Sequence, residues 1–244
     1  MKKISKYLAI LFLALSFSNC EDNIDTSDLK YVTFENTSID IGVDEGSETT
    51  KDIIVYTSNT TNSDRVFDLA IVEGKTTLDA AAYTVPSTVT IPAGTNEGII
   101  TVTIKDVDLT LLDKTVQLRL IQSEKAFIGD NLTINGSLNC PGTDNKLKIT
   151  LDFDSYPEEA AWKLVNSNGE TVMASSDPLA FGAYAGFKGS TTIAECLPSG
   201  DYTFVVYDGF KDGGTTYTIT VNGELLYDID GGDYEFTNSA TISF

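Results

Sequence analysis

The 244-residue chain has no histidine, one tryptophan, two methionines and three cysteines. Without histidine it can build neither a Ser-His-Asp or Cys-His nucleophile system nor a His-based zinc site. Positive charge is scarce: 16 Lys plus Arg stand against 36 Asp plus Glu, a formal net charge of -20. A phosphate backbone needs Lys and Arg to neutralise it, so this balance excludes a nucleic-acid binder. Helical patterning is scarce too. Beyond the first twenty residues no window sustains a 3.6-residue period over three turns, and Leu78–Tyr83 (LDAAAY) predicts at most a turn or two of helix. What is present is an apolar fraction of 41%, enough for a core and too high for a disordered chain.

The N-terminus reads as an address. Lys2, Lys3 and Lys6 precede an apolar stretch from Tyr7 to Phe17. That stretch is short of the roughly 20 residues a helix needs to span a bilayer, and it fits the h-region of a secretory signal. Ser18-Asn19-Cys20 resembles the lipobox of bacterial lipoproteins, although Asn19 stands where Ala or Gly is usual. The resemblance implies residues 1–19 as signal peptide and Cys20 as the lipidated new N-terminus. Glu21-Asp22 then resembles the acidic export tag that sends lipoproteins to the outer face of the outer membrane, with a periplasm-facing anchor as the alternative. Residues 20–30 read as a polar, acidic tether. After cleavage and lipidation Cys140 and Cys196 remain, an even pair in an oxidising compartment, as a disulfide requires.

The rest alternates with period 2. Strand candidates are Tyr31–Glu35, Ser38–Val43, Asp52–Thr57, Arg65–Val72, Thr88–Pro92, Gly98–Lys105 and Thr115–Ile121. A second series runs through Lys146–Phe153, Ala160–Asn166, Glu170–Ala174, Thr191–Cys196, Asp201–Asp208, Thr215–Asn222, Leu225–Ile229 and Ala240–Phe244. Asn168-Gly169 and Asn222-Gly223 carry the hairpin signal. Asp201–Asp208 is apolar on both faces, which predicts a central strand. A cluster of turn residues at 139–145 (NCPGTDN) predicts a linker. The expected fold is therefore all-β: two consecutive β-sandwich domains of Ig-like or jelly-roll-like type, residues 31–138 and 146–244.

Residues 31–138 resemble a Calx-beta module. The carrying stretches are Val43-Asp44-Glu45, Asp79 to Tyr83, Thr88 to Gly94 (TVTIPAG), Ile99 to Asp108, Thr115 to Ile121 and Ala126 to Gly129. Acids near one end of that family's sandwich can bind calcium. Carried over, they are Glu45, Asp79, Asp106, Asp108 and Asp113. Val107 interrupts the family's paired acids, and its closing acidic run is missing.

Residues 146–244 resemble a β-sandwich module found at the C-termini of secreted bacterial proteases, of the pre-peptidase type. The pattern runs D-x-Y-P-x-E-x-x-W from Asp154 through Glu159 to Trp162. It continues as G-x-Y-x-F at Gly200 to Phe204 and D-x-x-x-D-G at Asp208 to Gly213. Trp162 reads as a core anchor.

Two acid-rich loops are the candidate metal site of this half. Asp208 and Asp212 flank a turn, and Asp228, Asp230 and Asp233 lie in Asp-Ile-Asp-Gly-Gly-Asp. Crowded carboxylates repel unless a cation offsets them, so calcium is the expected cofactor; solvated turn-forming acids are the alternative. Phe181, Tyr184 and Phe187, spaced by three among Gly and Ala, are candidate rings for stacking on a ligand, or else core residues. The expected function is a non-catalytic cell-surface lipoprotein that binds a glycan or protein partner. The alternative is an accessory subunit of an outer-membrane complex without a free ligand. A carboxylate glycoside hydrolase built on Glu158 and Glu159 ranks below both, because adjacent residues point apart.

Overall fold

Alternating apolar residues build the first half from ten strands, and in the computed structural model they close around one core. The structure describes residues 30–121 and 126–244. The leader, Cys20 and all of the tether except Lys30 lie outside them. The strands are β1 (Tyr31–Phe34), β2 (Ser38–Val43), β3 (Glu48–Thr57), β4 (Arg65–Ile71), β5 (Tyr83–Thr84), β6 (Thr88–Ile91), β7 (Glu97–Lys105), β8 (Lys114–Leu120), β9 (Phe127–Ile128) and β10 (Leu132–Leu138). They form two five-stranded sheets, ordered β5-β7-β3-β1-β9 and β2-β10-β8-β4-β6. Period-2 burial explains the sandwich. Gly98, Ile100, Val102 and Ile104 turn inward from β7 while Ile99 and Thr101 stay exposed. Val32, Val55 and Val102 of one sheet share a core with Val43, Val116, Leu118 and Ile134 of the other.

Two features depart from the sequence reading. Leu78–Tyr83 forms a turn and not a helix. Asp79 Oδ1 accepts from the Ala81 amide at 2.8 Å, Leu78 and Ala82 are buried, and the chain then enters β5. With Leu78 and Ala82 fixed in the core and residues 79–81 exposed between them, the segment has room for one turn only. The strand β10 was hidden by its turn-like Asn135-Gly136, yet it pairs with both β2 and β8. A Cβ at Gly136 would lie 3.1 Å from Ile104 Cγ2, so the residue serves close packing between the sheets.

The second half has eight strands: β11 (Asn145–Asp152), β12 (Ala160–Asn166), β13 (Thr171–Ala174), β14 (Ser190–Leu197), β15 (Asp201–Asp208), β16 (Thr216–Val221), β17 (Glu224–Ile229) and β18 (Thr237–Ser243). Sheets ordered β14-β11-β16-β17 and β13-β12-β15-β18 enclose a separate core. The fold is thus all-β with two β-sandwiches. The strand β15 is central, flanked by β12 and β18. The β16–β17 hairpin turns on Asn222 and Gly223, both at positive φ (51° and 87°), the combination a type I′ turn needs. Trp162 is 3% exposed and donates its indole N–H to the Tyr184 hydroxyl at 2.8 Å.

Cys140, between β10 and β11, is bonded to Cys196 on β14. Across the same joint Lys148 of β11 pairs with Asp113 at 2.6 Å, and Lys146 Nζ donates to Ser137 Oγ at 3.1 Å. Among the described residues no helix is long and apolar enough to cross a membrane.

Candidate functional site

The acids predicted in the first sandwich do not converge. The loop after β2 meets the loop after β7, where Asp106 Oδ2 accepts from the Gly46 amide at 2.8 Å. Asp79 is spent on its own turn. Asp108, at φ 56°, is held by Lys114 at 2.5 Å, which keeps its carboxyl below the usual range through hydrogen bonding and charge. Asp113 is held by Lys148. Glu45 is exposed in the turn before β3. Among the described residues neither it nor the other four belongs to a group of three carboxylates that could share an ion.

The second sandwich does bring acids together. Glu159, Asp208 and Asp212 each present a carboxylate oxygen, and these oxygens lie within 4.8 Å of one another. It is the one such group among the described residues. Asp208, at the end of β15, is 5% exposed. Its Oδ1 accepts from the Phe210 and Lys211 amides, both at 2.7 Å, which fixes the carboxylate and folds the turn that returns Asp212. Glu159 ends a 3-10 turn, Pro157–Glu159, and enters β12 beside β15. The Gly209 amide donates to the Glu159 carbonyl at 2.9 Å, tying the two segments together.

Asp154 completes the rim. Its Oδ1 accepts from the Tyr156 amide at 2.8 Å. A Cβ on Gly214 would meet Asp154 Oδ2 at 2.9 Å and Asp208 Oδ2 at 3.5 Å. A Cβ on Gly213 would meet the Gly231 carbonyl oxygen at 2.4 Å. Gly214 therefore keeps the space beside the carboxylates open, and Gly213 allows close approach to the Gly231 backbone. Desolvation raises the pKa of Glu159, and the charges of Asp208, Asp212, Asp154 and Glu158 add to that, in this order. The same field, from Asp208, reaches the Tyr234 hydroxyl, whose pKa burial has already pushed far up.

The Asp228, Asp230 and Asp233 loop stays outside the group. Asp228 sits on β17 opposite Thr218. Asp230 Oδ1 caps the Gly232 amide at 2.8 Å, and the Asp233 amide donates to the Asp230 carbonyl. These residues form a turn, whose Gly231 carbonyl accepts from the Gly214 amide at 3.1 Å and so braces the site from behind. Of the five aspartates expected here, Asp208 and Asp212 meet, while Asp154 and Glu159 come in from a different loop. The signal for the added pair was present in the D-x-Y-P-x-E stretch itself.

The aromatic loop divides. Tyr184 packs on Phe153 with ring centroids 4.6 Å apart and accepts from Trp162, so it belongs to the core. Phe187 leans edge-on against Phe153 but stays 40% exposed, and Phe181 is 49% exposed. Phe181 also borders the site: its ring carbons lie 3.6 Å from a Cβ built on Gly209. Tyr156 and Phe210 are exposed too, each two residues along the chain from one of these acids, Asp154 and Asp208. Glu158 turns its carbonyl to the Gly182 amide at 2.7 Å, which ties the aromatic loop to the acidic turn.

Three carboxylate oxygens within 4.8 Å match the span of oxygens around one calcium, which binds them at about 2.3–2.6 Å. Glu159, Asp208 and Asp212 would hold the ion, with Asp154 beside them. The bound ion would supply charge neutralisation and open positions for a ligand's oxygens.

No family model matches the chain, and no curated protein matches it. Among solved structures it is similar to a protein of unknown function from Bacteroides ovatus, at 10% identity and a TM-score of 0.43, covering 90% of this chain and 94% of that one. It is similar to the calcium binding domain CBD12 of CALX1.1, at 12% identity and a TM-score of 0.37, covering 78% and 80%. It is also similar to an auxiliary nutrient binding protein from Bacteroides thetaiotaomicron, at 10% identity and a TM-score of 0.37, covering 85% and 92%.

Proposed function

We propose that the protein is a non-catalytic binding lipoprotein, anchored through Cys20 at the outer membrane and facing outward, whose second sandwich carries calcium at Glu159, Asp208 and Asp212. The observation that carries this reading is the convergence of those carboxylates from two separate loops. Like charges packed this closely destabilise the folded state, and no lysine or arginine pairs with them among the described residues. The exposed ring of Phe181 beside Gly209, and those of Tyr156 and Phe210 on the loops that carry Asp154 and Asp208, give flat apolar contact area suited to a glycan or protein partner.

The test is a thermal melt of the lipid-free chain with calcium, with magnesium and with chelator. A ligand bound only by the folded state adds about 2.7 kcal/mol when present at 100 times its dissociation constant. Calcium is expected to raise the melting temperature and chelator to reverse the rise. Identical melts in all three conditions would remove calcium from the proposal.

A further inference from the structure

Far from the acidic cluster, the first sandwich has a cavity of about 420 Å³ where β1, the end of β3 and the start of β4 come together. Strand direction places it. The β2–β3 turn and the start of β8 lie beside the second sandwich, so Thr57 and Arg65 lie at the opposite end. Tyr31, Val66 and Phe67 give it apolar walls, and Lys30 and Arg65 give it charge. Among the described residues no acid lines it.

Arg65 is the unusual member. It has no carboxylate partner among the described residues. Nη1 donates to Asn59 Oδ1 at 3.2 Å and Nη2 to the Thr95 carbonyl at 3.1 Å. Its Nε–H is buried with no hydrogen-bond partner among them. Desolvation lowers its pKa. A guanidinium has five donors, so two bonds leave three unspent. Arg65 as a whole is half-buried, but its Nε–H is shielded, and an unsatisfied buried donor costs free energy.

We infer that this cavity is a binding site for a small organic carboxylate, its charged end on Arg65 and its apolar body between Tyr31 and Phe67. The volume falls in the low part of the range for small-molecule pockets, about 300–1,000 Å³. Planar bidentate recognition of a carboxylate is what a guanidinium does and an ammonium does poorly. Lys30 at the rim adds attraction without fixing geometry. The site is independent of calcium and of the second sandwich.

Arg65 and Arg119 are the chain's two arginines, so an Nε–Hε nuclear magnetic resonance spectrum of the lipid-free chain holds two signals. Benzoate is the probe. The Arg65 signal is expected to move saturably, with a dissociation constant of about 1 mM or tighter, while Arg119 stays still. Benzamide and chloride are expected to move neither. Arg65→Lys should weaken benzoate about tenfold, read on the Tyr31 ring signals, and Arg65→Gln should abolish the response with the melt unchanged. If Arg65→Gln does not fold, Arg65→Lys decides alone. An unmoved Arg65 signal, or an equal response to benzamide or chloride, would overturn the inference. So would binding that appears only after Asp22, Asp25 and Asp28 are changed to Asn, because the tether would then be the occupant.

Discussion

Asp113 and Lys148 join the two sandwiches: their 2.6 Å ion pair runs from the loop before β8 to the middle of β11. Asp113 is partly exposed, with 36% of its side chain accessible, and Lys148 is more buried at 20%. Lys146, one strand period away, donates to Ser137 on the last strand of the first sandwich. The pairing makes the joint directional, since it fixes one face of β11 against one loop.

A double-mutant cycle on Asp113→Asn and Lys148→Met should return a coupling of about 0.5–1 kcal/mol, the upper range for exposed pairs. The larger effect is geometric. Residual dipolar couplings should show the two sandwiches reorienting more freely in either single variant. Unchanged couplings in both variants would mean that the short linker alone sets the angle.

Glu159→Gln should act in opposite directions with and without metal. Without calcium, removing one of the crowded charges relieves repulsion and leaves the second sandwich as stable or slightly more so. With calcium, the variant should lose the ion's stabilisation. The pH dependence has a definite sign. Glu159 has a raised pKa in the folded state, so the folded chain binds its proton more tightly than the unfolded chain. Metal-free stability therefore rises as pH falls from neutral toward the ordinary glutamate value of 4.5, and is lost again as pH climbs through the raised folded value. Denaturant melts across that window check it, and Glu159→Gln should flatten the profile.

The Cys140–Cys196 bond closes a loop with a sequence separation of 56. Loop-closure entropy gives about 4 kcal/mol for such a span, within the usual 2–4 kcal/mol for native bonds. Cys196→Ser or reduction should lower the melting temperature of the second sandwich and leave the first unchanged, read by differential scanning calorimetry.

Tyr217 is fully buried between the sheets, and desolvation followed by the Tyr227 charge pushes its pKa up to about 12. Below the ordinary tyrosine value of 10.0 both states are protonated and nothing is lost. Above it the unfolded chain ionises first, so stability falls as pH rises toward about 12. The second sandwich should unfold in alkali together with a step in tyrosinate absorbance. Tyr217→Phe should move that step to higher pH and also lose the 2.7 Å bond to Asn238.

The architecture was written locally. Period-2 alternation marks the strands from Tyr31–Phe34 to Thr237–Ser243, because a strand between a core and water needs one apolar face. The Asn222-Gly223 turn was equally local, since only the side chains at those two positions have to tolerate positive φ. Three strands escaped this reading: β5 and β9 are only two residues long, and β10 carries the turn-like Asn135-Gly136. Which acids would meet was not local at all. Asp154 and Glu159 lie some fifty residues from Asp208 and Asp212, and only the pairing of β12 with β15 brings Glu159 beside them. Asp228, Asp230 and Asp233 share a suggestive spacing, yet Asp228 lies on β17 and Asp230 is turned to capping the Gly232 amide. The three rings Phe181, Tyr184 and Phe187 were indistinguishable in sequence, and the Trp162 indole selected Tyr184 for the interior. Sequence determined which residues prefer an interior or a turn, because those preferences act within a few residues. Tertiary structure decided which charges and rings became neighbours, because that depends on strand register across the whole chain.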